Sequence, residues 1–108
     1  MKITDQNSHI YIGKYPMVVK FWEQNNNACR RIKSMYSKLM RQLTNEVLYA
    51  ECNIADSAFA KAKGVRNTPT VLFFNEEGRV IDKIEGEFTE QEITSKVRKL
   101  YSLKDYAG

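Results

Sequence analysis

Met17-Val18-Val19-Lys20-Phe21-Trp22-Glu23 is a run of β-branched and aromatic residues whose apolar character is continuous rather than alternating. Such a run belongs to a strand buried on both faces, so the chain has to supply a layer on each side of a sheet. The residues that follow agree. A polar turn through Gln24 leads into Cys29, Ile32, Met35, Tyr36, Leu39, Met40 and Leu43, at the three-and-four spacing of an amphipathic helix. Asn25, Asn26 and Asn27 are good N-cap candidates for it.

Val47 to Ile54 reads as a second buried strand. Asp56 is placed to cap a short helix through Phe59 and Ala62, with Gly64 to end it. Thr70 to Phe74 and Arg79 to Ile84 flank the turn Asn75-Glu76-Glu77-Gly78, which predicts a hairpin. Thr89-Glu90-Gln91-Glu92 is a capping box that opens a last helix with the stripe Ile93, Val97, Leu100 and Tyr101. Asp105 to Gly108 is expected to fray. A helix joining two buried strands makes a parallel, right-handed crossover. The fold class is therefore α/β, a mixed central β-sheet flanked by α-helices. With no internal repeat, low-complexity stretch or linker, residues 1–108 form a single domain.

The chain of 108 residues is long enough for one core and too short for two. No apolar run approaches the roughly 20 residues needed to span a bilayer, so no membrane role is expected. Met1 to Asn7 lacks the apolar segment of a secretory signal. Two cysteines do not make a disulfide framework, and a reducing, cytoplasmic setting is expected. They and the lone His9 lack metal-ligand spacing, and neither a metal nor another cofactor is expected. The net charge of +4 is uneven: between Gln24 and Asn45 lie Arg30, Arg31, Lys33, Lys38 and Arg41 and no acid. The plain account is a solvated helix face, and the sharper one is an acidic partner. A nucleic-acid role would need aromatics among the exposed basic residues, and the helix pattern turns its aromatic inward.

Phe21-Trp22, Cys29-Arg30, Asn53-Ile54, Gly64-Val65-Arg66, Thr68-Pro69-Thr70 and Gly86 come in an order and at separations that resemble the thioredoxin family over essentially the whole chain. Ile3-Thr4-Asp5 resembles that family's opening strand. The resemblance implies a thioredoxin fold, with a cis bond before Pro69 in a loop facing the turn at Asn25–Cys29. In the family, the backbone of the residue before that proline, here Thr68, pairs with extended peptides. Without the resemblance, Pro69 would only begin a strand.

The family's turn reads Trp-Cys-Gly-Pro-Cys-Lys. Aligned on Phe21-Trp22, Asn25 stands at the Trp, Asn26 at the attacking cysteine, Asn27-Ala28 at Gly-Pro, Cys29 at the resolving cysteine and Arg30 at the Lys. Dithiol exchange needs one thiolate to attack and a second thiol to release the mixed disulfide, and Asn26 cannot attack. The family's buried Asp before the motif is replaced by Lys20, and a partner Lys on the next strand by Glu51, which suggests the same ion pair reversed.

Cys29 admits two accounts. A helix N-terminus with Arg30 and Arg31 could lower its pKa and let it form mixed disulfides. Its place on the apolar stripe instead predicts a covered, inert side chain. Cys52 reads as core, and no bridge to Cys29 is expected. His9 reads as a surface residue.

The expected function is a redox-inactive module for a protein or peptide held in extended form, acidic in character. Its site would be the turn with Trp22, Asn25, Asn26, Asn27, Ala28, Cys29 and Arg30, together with Thr68, Pro69 and Gly86. The alternative is a monothiol oxidoreductase in which Cys29 captures glutathione or a protein thiol. A scaffold inside a larger assembly is the third reading.

Overall fold

The computed structural model describes residues 1–42, 47–55 and 57–107, with side chains to residue 100. Asp56, Leu43 and the side chain of Tyr101, to which roles are assigned above, lie outside the described residues. The elements are α1 (Ser8–Tyr11), β1 (Met17–Trp22), α2 (Asn27–Gln42), β2 (Leu48–Asn53), α3 (Ala58–Ala62), β3 (Thr70–Phe74), β4 (Val80–Glu85) and α4 (Glu90–Ala107). The strands form one four-stranded sheet in the order β2-β1-β3-β4. β1 and β2 run parallel, as the crossover through α2 requires, and the other two pairings are antiparallel.

β1 is the strand the apolar run predicts, fully buried from Met17 to Phe21. Its even positions face α2 and α4. Val18 joins Val71, Phe73 and Ile84 under Ile32, Tyr36 and Leu39 of α2 and Ile93, Val97 and Leu100 of α4. Its odd positions face the other layer, where Met17, Val19 and Phe21 meet Ile3, Leu72, Phe74 and Ala60 of α3. Phe59 stacks between Phe21 and Phe74, with ring centroids 5.9 and 6.2 Å away. Phe59 is half-buried, so it contributes part of the roughly 1.5–3 kcal/mol of a fully buried side chain.

The helix ends follow the chemistry of their side chains. At α4 the capping box closes in both directions, Thr89 N–H to Glu92 Oε1 at 3.0 Å and Glu92 N–H to Thr89 Oγ1 at 3.1 Å. α3 begins at Ser57, whose hydroxyl accepts the Ala60 N–H at 3.0 Å. Asp5 reaches the same end across the chain: its carboxylate accepts the N–H groups of Ala58 at 3.0 Å and Phe59 at 2.9 Å. Those two backbone hydrogen bonds hold the Asp5 carboxyl below its ordinary pKa.

One expectation needs correction. The opening strand at Ile3–Asp5 is reduced to an isolated bridge between Lys2 and Glu51. The Asn7 side chain folds the segment back, accepting the Thr4 N–H at 2.8 Å and donating to the Lys2 carbonyl at 2.9 Å. Asp5 is thereby turned toward α3 instead of continuing a ladder. Of the tail from Asp105, the described residues continue α4 to Ala107.

Asp82 on β4 and Lys96 on α4 tie the edge strand to the last helix, with Lys96 Nζ 2.8 Å from Asp82 Oδ1. Burial pushes the Asp82 carboxyl up. The hydrogen bond from Lys96 and its charge, with the Lys83 N–H, outweigh burial and hold it below 3.8. An acid held low in the folded state adds stability above its unfolded pKa and loses it as pH falls through the folded one. Asp82→Asn should lower the urea midpoint at pH 7, and the two proteins should converge as the pH drops below 3.8.

Candidate functional site

The C-terminal end of β1 delivers Trp22 and Glu23 to a turn that reverses at Asn25, the one non-glycine residue with positive φ (59°) among the described residues. Asparagine tolerates that conformation better than most side chains. Asn26 then caps α2. Its Oδ1 accepts the Cys29 N–H at 3.0 Å, the N3 donor that a helix leaves without a partner.

The other end of the Asn26 side chain reaches across to the loop before β3. Its Nδ2 lies 3.2 Å from both the Thr68 carbonyl and Thr68 Oγ1, and 3.3 Å from Glu23 Oε1. The Thr68 hydroxyl in turn donates to Glu23 Oε1 at 2.8 Å. Asn26, Thr68 and Glu23 thus form a closed polar network joining two loops. Thr68 is followed by a cis peptide bond to Pro69, which is fully buried. The Pro69 carbonyl accepts the Gly86 N–H at 2.8 Å. Gly86 has φ 87°, a conformation that favours glycine. Arg31 on α2 forks onto Glu87, with Nε 3.0 Å from Oε1, and fastens the helix to this third loop. Both partners are exposed, so the pair contributes little.

Three of the sequence segments singled out above therefore meet at one end of the sheet: Asn25–Cys29, Thr68–Pro69 and Gly86. Trp22, Asn25, Cys29 and Arg30 line a pocket of about 570 Å³ together with Lys20, Glu23, Gln24, Lys33 and Glu51. Asn27 and Ala28 open α2 and do not line it.

Cys29 is buried, with 6% of its surface exposed. Cys52 is buried in the layer on the opposite face of the sheet, and both thiols are free. Because β1 and β2 stand between the two layers, the cysteines cannot approach for a bridge. Burial pushes the Cys52 thiol up and the charge of Asp5 adds to this, against a weaker opposing hydrogen bond from Ser57.

Lys20 and Glu51 are register partners on β1 and β2, with Nζ 3.5 Å from Oε2. The reversed ion pair suggested by the sequence is present. Lys20 is only 2% exposed, and its ammonium also lies 4.9 Å from the centre of the Tyr36 ring. Burial pulls its pKa down, opposed by the charge and hydrogen bond of Glu51 and by the charge of Cys29. At the position where the family resemblance implies a buried carboxylate, the chain carries the Lys20 ammonium.

Residues missed as members of the site are Glu23 and Gln24, along with the reach of Asn26 to Thr68. Glu23 follows Trp22 directly and was visible as the last residue of the strand. The bond from Asn26 spans 42 positions and leaves no local pattern.

A sequence model of the family described as Thioredoxin matches residues 1–99. The chain belongs to the thioredoxin family. It is similar to a thioredoxin of Buchnera aphidicola, 28% identical over 78 residues, which cover 69% of this chain and 72% of that protein. It is also similar to two chloroplastic M-type thioredoxins. That of Brassica napus is 33% identical over 60 residues, 55% of this chain and 34% of the relative. That of Pisum sativum is 29% identical over 85 residues, 78% of this chain and 49% of the relative. The matches thus span about a third and about half of the chloroplastic proteins.

The two ends of the Asn26 side chain can be tested separately. Asn26→Asp keeps the cap acceptor and replaces the donor with an oxygen facing Glu23 and the Thr68 carbonyl. It should cost about 2 kcal/mol at pH 7, and the loss should shrink at acid pH as the new carboxyl, its pKa raised, takes up a proton. Asn26→Ala, lacking both ends, should cost about 1–2 kcal/mol with little pH dependence. If Asn26→Asp matched the parent at pH 7 in chemical denaturation, capping alone would explain the residue.

Proposed function

We propose that this thioredoxin-family chain is a redox-inactive module that holds an extended segment of a protein partner in the groove between the Asn25–Cys29 turn, Thr68–Pro69 and Gly86. The observation that carries the reading is Asn26. It stands where the family's attacking thiol would be, and it is engaged through both ends of its side chain with α2 and with Thr68. A residue so engaged holds the groove's two walls in place and has no sulfur to attack a disulfide. An incoming strand would compete with Nδ2 for the Thr68 carbonyl, in the manner of β-strand addition. The exposed Arg30, Lys33, Lys38 and Arg41 on α2 favour an acidic segment.

A monothiol reading has one observation in its favour. Cys29 and the Lys20 ammonium line the same pocket, so a cation stands beside the thiol. The burial of Cys29 weighs against it, since the attacking sulfur has to reach its target.

The two readings separate in a Cys52→Ala background, where only Cys29 reports. A binding module should show alkylation of Cys29 only on unfolding, and Cys29→Ser should leave affinity for acidic extended peptides within about twofold. Rapid alkylation of the folded protein, with a midpoint below the free thiol's, would establish the monothiol enzyme. Asn26→Cys, which restores a thiol pair, should still reduce a protein disulfide about a hundredfold more slowly than a thioredoxin, because Lys20 cannot accept the proton.

A further inference from the structure

The pocket beside α2 shares Arg30 and Lys33 with the peptide-binding reading and adds to them a buried cation, Lys20, which that reading does not use. Its floor holds the Lys20 ammonium, which carries three N–H donors. Glu51 is its hydrogen-bonding partner and the Tyr36 ring faces it, so two donors have no described protein acceptor. Arg30 and Lys33 also line the pocket, three positions apart and hence on one side of α2. Neither has an ion-pair partner among the described residues. Lys33 is close enough to Lys20 for its charge to add to the lowering of the Lys20 pKa that burial produces.

The carboxylates on the same walls are already engaged. Glu51 faces Lys20, and Glu23 is occupied by the Thr68 hydroxyl and the Asn26 amide. Three cations and two carboxylates therefore line this space; Glu51 offsets Lys20 and Glu23 keeps its charge on two neutral donors, so the lining carries a small net positive charge from Arg30 and Lys33. The first turn of α2 contributes no acidic residue to offset them. A volume of about 570 Å³ is within the range of small-molecule sites and exceeds what a single inorganic ion fills. Trp22 supplies an apolar wall.

We propose that this pocket binds a small molecule carrying two or more oxyanion groups, with Lys20 as the buried anchor and Arg30 and Lys33 closing over it from α2. The ligand's negative charge would add to that of Glu51 in offsetting the desolvation of Lys20, and the Arg30 fork would fix the orientation of a phosphate or carboxylate. The proposal shares the Asn25–Cys29 turn and Arg30 with the peptide groove but makes no use of Thr68, Pro69 or Gly86.

Trp22 is the single tryptophan of the chain and lines the pocket, so its emission reports occupancy directly. Pyrophosphate and citrate should each be titrated against the full chain, with potassium chloride at matched ionic strength as the control. A saturable change with either probe, absent with chloride, is expected. Arg30→Ser and Lys33→Ser should each weaken binding about tenfold, typical of a lost charge-assisted contact. Arg31→Ser removes the same charge from the same helix but from the side paired with Glu87, and should leave the affinity within about twofold. Saturation by pyrophosphate alone would identify a phosphate compound, and by citrate alone a polycarboxylate. No saturable change with either probe, or equal weakening in Arg31→Ser and Arg30→Ser, would overturn the proposal. Loss of peptide binding without loss of the anion response would count against the groove only.

Discussion

An ammonium group buried on the central strand imposes conditions on everything packed around it. Desolvating a charge costs several kcal/mol, and Lys20 is covered by both the neighbouring strand and α2. Glu51 has to lie in register beside it, which ties β2 to one alignment against β1. A one-residue slip would carry Glu51 to the other face and leave the ammonium unpaired among apolar side chains. Tyr36 has to present its ring to Lys20. It is anchored for this by its hydroxyl, which sits 2.9 Å from the Ala50 carbonyl and 3.2 Å from that of Val18. Helix, strand and register are thereby specified by one side chain.

The site at the end of the sheet is organised on a different principle. Its parts are held by hydrogen bonds between loops, with Asn26 at the centre, and the thiol that remains is buried. A thioredoxin fold offers a helix start, a proline loop and a backbone edge at one location. This chain keeps that placement, with Asn26 at the helix start and Lys20 on the strand that leads to it. In the reading proposed above the two go together, because a site without an attacking thiol has no use for a buried proton acceptor.

What was legible in the sequence was whatever repeats at short range or is carried by a motif. β1 declared itself by an uninterrupted apolar run, and α4 by its capping box. The charges on Lys20 and Glu51 suggested their pairing only because the resemblance placed the two strands side by side. What was hidden depends on long separations: the Asp5 carboxylate at the start of α3, the Asn26 amide on Thr68, and the folding back of the N-terminal segment by Asn7. A polar side chain in a turn satisfies local capping and distant bridging equally well, and only the tertiary arrangement decides which atoms it meets. Family resemblance identified the segments that meet at the groove. It did not show that Asn26 would be bonded to both sides.

The carboxylate of Asp5 on the α3 backbone also bears on the order in which the chain assembles. α3 is five residues long, well below the length at which a helix persists alone in water. It draws two of its initiating acceptor contacts from a residue more than fifty positions upstream. Contacts that distant in sequence have to overcome a large loop-closure entropy, so they form after the local hairpin and the longer helices have collapsed. The segment that follows α3 leads directly to Thr68. The opening residues, by holding the start of α3, thus brace from a distance the loop that ends at Thr68.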